Sequence, residues 1–153
     1  MVKAVRIVAC ALLLCGSADL AAQQATQCPL LPSGSSLHWE ERQQSDFIVC
    51  KAVTADGRDV LNVMLTARDP DLVLNRALRA EKGSFAGEGF YWYKPDLGGR
   101  DVPGLDSRRI TTVKLSRNHY AQIWIDAADA NELATLQQLT GNLGNTAQGL
   151  AGE

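Results

Sequence analysis

Apolar and polar residues alternate in several short runs between residues 37 and 125, and a period of two predicts strands. Residues 37–44 (LHWEERQQ) read as a strand with Leu37 and Trp39 on one face. Residues 47–53 (FIVCKAV) form a denser strand, and residues 60–66 (VLNVMLT) return as its partner with Leu61, Val63 and Leu65 aligned. Between them, Asp56-Gly57 supplies the positive φ that a tight hairpin needs. The period then changes. Asp69 as N-cap, followed by Pro70 at the first helical position, opens a predicted helix. Its apolar stripe is Leu74, Ala77 and Leu78, and it stops near Lys82-Gly83.

The second half follows the same order. Residues 89–94 (GFYWYK) are an aromatic strand, and residues 96–108 (DLGGRDVPGLDSR) a long Gly/Pro loop. Residues 109–115 (RITTVKL) and 120–125 (YAQIWI) are two strands joined by a turn at residues 116–119. Asp129 and Glu132 make a capping box, and Leu133, Leu136 and Leu139 share one stripe of the helix that follows. Residues 83–89 (GSFAGEG) lie between the first helix and the aromatic strand and read as a flexible connector. Each half therefore reads strand, strand, strand, helix, a pseudo-repeat of secondary structure. An antiparallel sheet with one apolar face needs a cover, which two amphipathic helices would supply. The expected fold is α+β, a two-layer antiparallel sheet of about five to six strands covered on one face by two helices.

The N-terminus obeys a different pattern. Lys3 and Arg6 precede an uncharged apolar run at residues 7–15, and small residues follow up to Ala22. This is the layout of a secretory signal peptide, and the apolar run is shorter than the roughly 20 residues that span a bilayer. Cleavage after Ala22 is favoured over cleavage after Ala18. Lipidation at Cys10 or Cys15 is the rival: Leu14 is a poor residue before Cys15, and Cys10 has too little apolar sequence ahead of it. The expected organisation is a cleaved signal peptide at 1–22, an extended arm at 23–36, a single α+β domain at 37–143 and a frayed tail at 144–153. Export also resolves the cysteines. Of four, two leave with the signal, and Cys28 and Cys50 remain as a disulfide that staples the arm to a core strand. The location is then periplasmic or secreted, with no stable membrane insertion after cleavage.

Charge mostly excludes partners. The whole chain carries −2 and the signal takes one net positive charge with it, so the mature part sits near −3, which does not suit nucleic acid. No cofactor or metal site is expected. The two histidines, His38 and His119, stand far apart, and zinc needs three or four ligands at close spacing. The chain has no Gly-x-Ser-x-Gly elbow and no phosphate-binding glycine loop, so no catalytic residue is assigned.

One feature points to contact with another molecule. In Phe90-Tyr91-Trp92-Tyr93 the pleat puts Phe90 and Trp92 on one face and Tyr91 and Tyr93 on the other, so a one-sided core cannot take all four. Aromatic residues concentrate at binding hot spots, and the adjacent loop offers rim charges. The candidate contact residues are Tyr91, Trp92, Tyr93, Arg100, Asp101 and Arg108. The competing reading of the same residues is cross-strand aromatic pairing that stabilises a small sheet. The expected function is an exported protein-binding module, of inhibitor or immunity type, acting by occlusion of a periplasmic protein partner. The alternatives are an assembly accessory of the envelope, or a small hydrolase using His38 or His119.

Overall fold

A computed structural model describes residues 27–144. The signal peptide expected at 1–22 lies outside the described residues, as does the tail beyond Gly144. Seven strands form one antiparallel sheet: β1 (His38–Gln43), β2 (Phe47–Val53), β3 (Asp59–Thr66), β4 (Arg79–Phe85), β5 (Glu88–Tyr93), β6 (Arg108–Ser116) and β7 (His119–Asp126). One α-helix, α1 (Ala130–Asn142), follows β7, and short 3-10 turns occupy Arg76–Leu78 and Leu105–Ser107. The spatial order is β1-β2-β3-β7-β6-β5-β4. The sheet is thus two meanders set side by side through their last strands, with β1 and β4 at the free edges.

The structure has more strand and less helix than expected. Residues 69–82 do not form a helix. Asp69 Oδ1 accepts from the Asp71 N–H at 2.9 Å in a local turn, and Asp71 takes a φ of 50°, which no right-handed helix accommodates. Residues 79–85 are instead β4. Ala86 and Gly87, with φ of 51° and 82°, fold it back on β5 through a tight turn with two left-handed residues. The stretch expected to be a flexible connector is therefore the tip of a hairpin, and Phe85 in it is fully buried. With no helix in the first half, the strand-strand-strand-helix pseudo-repeat does not hold.

The second helix forms as its sequence dictates. Asp129 Oδ1 accepts from the N–H groups of Asn131 and Glu132, both at 2.9 Å, and Glu132 reaches back to the Ala128 N–H at 2.6 Å. Leu133 and Leu136 are buried, and Leu139 packs at the margin. At the helix end, the Ala86 N–H donates to the Leu143 carbonyl at 3.2 Å, and Gly144 is buried hard against Ala86.

One face of the sheet makes the core. Ile48, Cys50, Leu61, Val63, Ile123 and Trp92 are among its buried side chains, and Leu133, Leu136 and Leu143 join the same cluster. Burying each large aliphatic side chain contributes about 1.5–3 kcal/mol. The arm closes the β1–β2 end of this face. Cys28 is disulfide-bonded to Cys50, Leu31 and Leu37 pack on the cluster, and the Trp39 indole N–H donates to the Pro29 carbonyl at 2.6 Å. No helix among the described residues is long and apolar enough to cross a membrane.

Candidate contact surface

The strand registers put a continuous row of side chains on the face opposite the core. Across all seven strands it runs Glu40, Lys51, Asn62, Trp124, Ile110, Tyr93 and Arg79. α1 packs on the other side, so no helix covers this row. Trp124, Ile110 and Tyr93 are adjacent in it and half-buried. Beside them, Pro95, Arg108, Ile110, Gln122, Trp124 and Asp126 border a shallow groove of about 400 Å³. Its lining is mixed, with Pro95, Ile110 and Trp124 beside the polar Gln122 and the charged Arg108 and Asp126. One end is fixed by the Arg108 Nε–Asp126 ion pair at 2.9 Å.

Tyr91 stands next to this row on β5, and its ring carries two cations. The Arg79 guanidinium lies 4.6 Å from the ring centroid and the Lys82 ammonium 5.9 Å. Neither cation has an ion-pair partner among the described residues. The Tyr91 corner therefore presents net positive charge on a protein whose formal charge is −2.

Two loops border the β4–β5 end of the surface. Residues 67–78 carry the chain from β3 to β4, and residues 94–107 carry it from β5 to β6. They are tied together: Asn75 Nδ2 donates to Asp96 Oδ2 at 3.0 Å, and the Lys94 N–H to the Leu78 carbonyl at 2.9 Å. The Asn75 amide and the Gly98 N–H hold the Asp96 carboxyl below its ordinary range. Lys94, 2.6 Å from Asp106, lowers that carboxyl in the same way.

Of the residues singled out from the sequence, Tyr91 is exposed, and Tyr93 and Arg108 are half-buried on the open face. Arg100 and Asp101 are exposed on the second loop. Trp92 departs from the group. It is 0% exposed, stacks edge-on with Phe90 at 5.0 Å and points into the core. The reason lies on β4, where Gly83 sits directly under both rings and a Cβ would lie 2.5 Å from the Trp92 indole nitrogen. Trp92 is thereby removed as a contact residue and becomes the packing reason for the strand. Arg79 and Lys82 were not singled out as contact residues, because the sequence placed them at the end of a helix and not on a strand beside Tyr91. Reading R-A-E-K-G-S-F as an edge strand before an Ala-Gly turn would have found them.

The histidines are not brought together. His38 is exposed at the start of edge strand β1. His119 begins β7, with Nδ1 3.1 Å from Ser116 Oγ and 3.2 Å from the Arg117 carbonyl, beside a cavity of about 60 Å³. No group of three or more His, Cys, Asp or Glu fit to hold a metal ion occurs among the described residues. No protein-family model, curated protein or solved structure matches the chain.

Proposed function

We infer that the chain is an exported protein-binding module that acts by covering a partner, with the sheet face opposite α1 as its contact surface. The observation that carries this reading is the Trp124–Ile110–Tyr93 row with Tyr91, Arg79 and Lys82 beside it. It joins aromatic area to unpaired positive charge at one corner of a rigid sheet, and aromatic and arginine side chains dominate the energetics of protein contacts. Arg100, Asp101 and Arg108 form the charged rim. In this reading α1 and the N-terminal arm are the covering layer, leaving the opposite face for the partner. The Cys28–Cys50 disulfide fits a periplasmic or secreted location, where thiols oxidise and stay oxidised.

The test is affinity capture from envelope extract with wild-type protein and the Tyr91→Ala and Arg79→Ala variants. A partner held by wild type and lost from both variants, at unchanged melting temperature, supports the reading. Equal retention by all three removes the sheet face as the contact surface.

A further inference from the structure

Four segments distant in sequence meet at one end of the sheet. The β1–β2 turn, the end of β3, the β6–β7 turn and the β4–β5 turn all lie there, since Phe47 pairs with Thr66, Thr66 with Tyr120, Ser116 with His119 and Phe85 with Glu88. Continuing the Tyr93–Ile110 register puts Glu88 level with Leu115, so the β4–β5 and β6–β7 turns stand at the same height. This end holds a cavity of about 60 Å³, whose apolar walls are Phe47, Ile48, Leu65 and Leu115. One water needs roughly 10–15 Å³ on such a scale, so the space matches about four to six water-sized groups, the size of a branched aliphatic side chain.

His119 lines the same cavity. The Arg117 carbonyl, 3.2 Å from Nδ1, can only accept, so the proton of the neutral ring sits on Nδ1. Nε2 is then a bare acceptor. It is buried and has no hydrogen-bond partner among the described residues. A buried acceptor without a donor is costly, so the cavity calls for an occupant with an apolar body and an N–H or O–H group beside it.

The chain itself supplies that combination. α1 ends with Leu143 buried in the core, its carbonyl accepting from the Ala86 N–H at 3.2 Å, and Gly144 lies closely against Ala86 at the β4–β5 turn. The chain thus leaves Gly144 at the same end of the sheet as the cavity. From β5 it is three strand spacings to β3, roughly 14 Å, and four to β2, roughly 19 Å. Six residues span at most about 20 Å, and the sixth beyond Gly144 is Leu150, the only large apolar residue in 145–153. Gln148 and the main-chain N–H groups around Leu150 are donors, and no ionised side chain occurs from Asn145 to Gly152. We propose that residues 145–150 cross the turn end of the sheet as a strap and seat Leu150 in this cavity, a donor of the same stretch meeting His119 Nε2. The strap closes the core beside the β4–β5 turn and is independent of the contact face on the other side of the sheet.

The experiment digests the chain from Gln23 to Glu153 with subtilisin and follows cleavage within residues 145–153 by mass spectrometry. Cleavage should be about tenfold faster in Leu150→Asp than in wild type, the ratio that follows from losing part of one buried aliphatic side chain. Leu30→Asp, at an exposed apolar position on the arm, should cleave there as wild type does. Nuclear magnetic resonance of the wild type should show contacts between the Leu150 methyls and those of Ile48 and Leu65, and truncation after Gly144 should shift the His119 Nε2 resonance. Equal cleavage of wild type and Leu150→Asp overturns the proposal. So does the absence of the methyl contacts, or a His119 Nε2 resonance indifferent to truncation, since water then fills the cavity. Methyl contacts that arise only between differently labelled copies overturn it as well, because the segment then docks on a second molecule.

Discussion

Arg109 on β6 and Glu81 on β4 form a two-pronged ion pair, Nε to Oε2 at 2.8 Å and Nη2 to Oε1 at 2.6 Å. The Arg109 side chain is only 6% exposed, and its Nη1 donates to the carbonyls of Asp106 and Arg108. Gln137 on α1 adds a third tie to Glu81 at 3.0 Å. One carboxylate therefore joins β4, β6 and α1. It does so where β5 and β6 meet in register only at Tyr93 and Ile110, so the pair holds the β4–β5 hairpin where the ladder is short.

The acid limb of the stability curve follows from this pair. The Arg109 guanidinium, against some cost of burial, pulls the Glu81 carboxyl down to about 2, below its ordinary 4.5. A carboxyl depressed on folding contributes its full stability above the unfolded value and loses it as pH falls through the folded one. The melting temperature should thus decline as pH drops from about 5 towards 2. In Glu81→Gln that part of the decline should flatten, because the group no longer titrates. At neutral pH the same substitution should cost about 1–3 kcal/mol: less than a fully buried broken pair, since Glu81 is half-exposed, but not zero, since Arg109 stays buried. Melts of both proteins across this pH range check both statements.

Trp92 and Tyr91 are neighbours with opposite roles, and substitution separates them. Trp92→Ala empties a fully buried site and should cost about 3–5 kcal/mol. Gly83→Ala attacks the same packing from the other side, forcing a Cβ against the Trp92 and Phe90 rings, and should cost about 1–3 kcal/mol. Tyr91→Ala loses an exposed ring and its cation contacts and should stay within about 1 kcal/mol of wild type. Urea unfolding of the three variants gives the ranking. A large loss for Tyr91→Ala would mean that the ring is structural and would remove the centre of the proposed contact surface.

The disulfide links sites 22 residues apart in sequence, from the arm to the centre of β2. Closing a loop of that size is worth about 3 kcal/mol in the chain-entropy model. Replacing Cys28 and Cys50 together by Ser should release the arm first, because beyond the disulfide its ties to the sheet are the Trp39–Pro29 bond, a Cys28 N–H to Glu41 contact at 3.4 Å and the packing of Leu31 and Leu37. Hydrogen exchange should rise over residues 28–40 while β3 and β7 keep their protection. Uniform acceleration across the sheet would show that the arm is part of the cooperative core.

β2, β3, β6, β7 and α1 were legible because each carries its own local signal. Leu61, Val63 and Leu65 alternate, Asp56-Gly57 makes the turn, and Asp129 caps the helix with Glu132 behind it. β4 was not legible because its signals point elsewhere. Asp69-Pro70 has the chemistry of a helix start, but the Asp69 side chain bonds the Asp71 N–H and turns the chain locally instead. Residues 79–85 are small and charged, with only Phe85 as a large apolar anchor. What settles them as a strand is β5, whose outer edge needs a partner, a long-range cause that local propensity does not carry. The same holds for the aromatic run. Alternation separates Phe90 and Trp92 from Tyr91 and Tyr93; pairing with β6, Tyr93 opposite Ile110, turns Phe90 and Trp92 inward, and Gly83 on β4 leaves room for their rings. The Cys28–Cys50 pairing was fixed by elimination once Cys10 and Cys15 were assigned to the signal.

The β4–β5 turn offers the most direct link between backbone geometry and the contact surface. Gly87 sits at φ 82°, and a Cβ built there meets nothing within 4 Å. Gly87→Val therefore tests conformation alone, at a cost of about 1–2 kcal/mol for a left-handed residue, and somewhat more for a β-branched one. Gly57 in the β2–β3 hairpin is equally unobstructed, at φ 87°, so Gly57→Val should cost a similar amount. Their local consequences should differ. Loosening the β4–β5 hairpin moves Arg79, Lys82, Tyr91 and Tyr93, so Gly87→Val should weaken capture of a partner by more than its effect on the melt accounts for. Gly57→Val, far from that corner, should change capture only as far as it changes the folded fraction. Paired measurements of melt and capture on the two variants make the comparison, and equal capture losses would place the contact surface elsewhere than the β4–β5 corner.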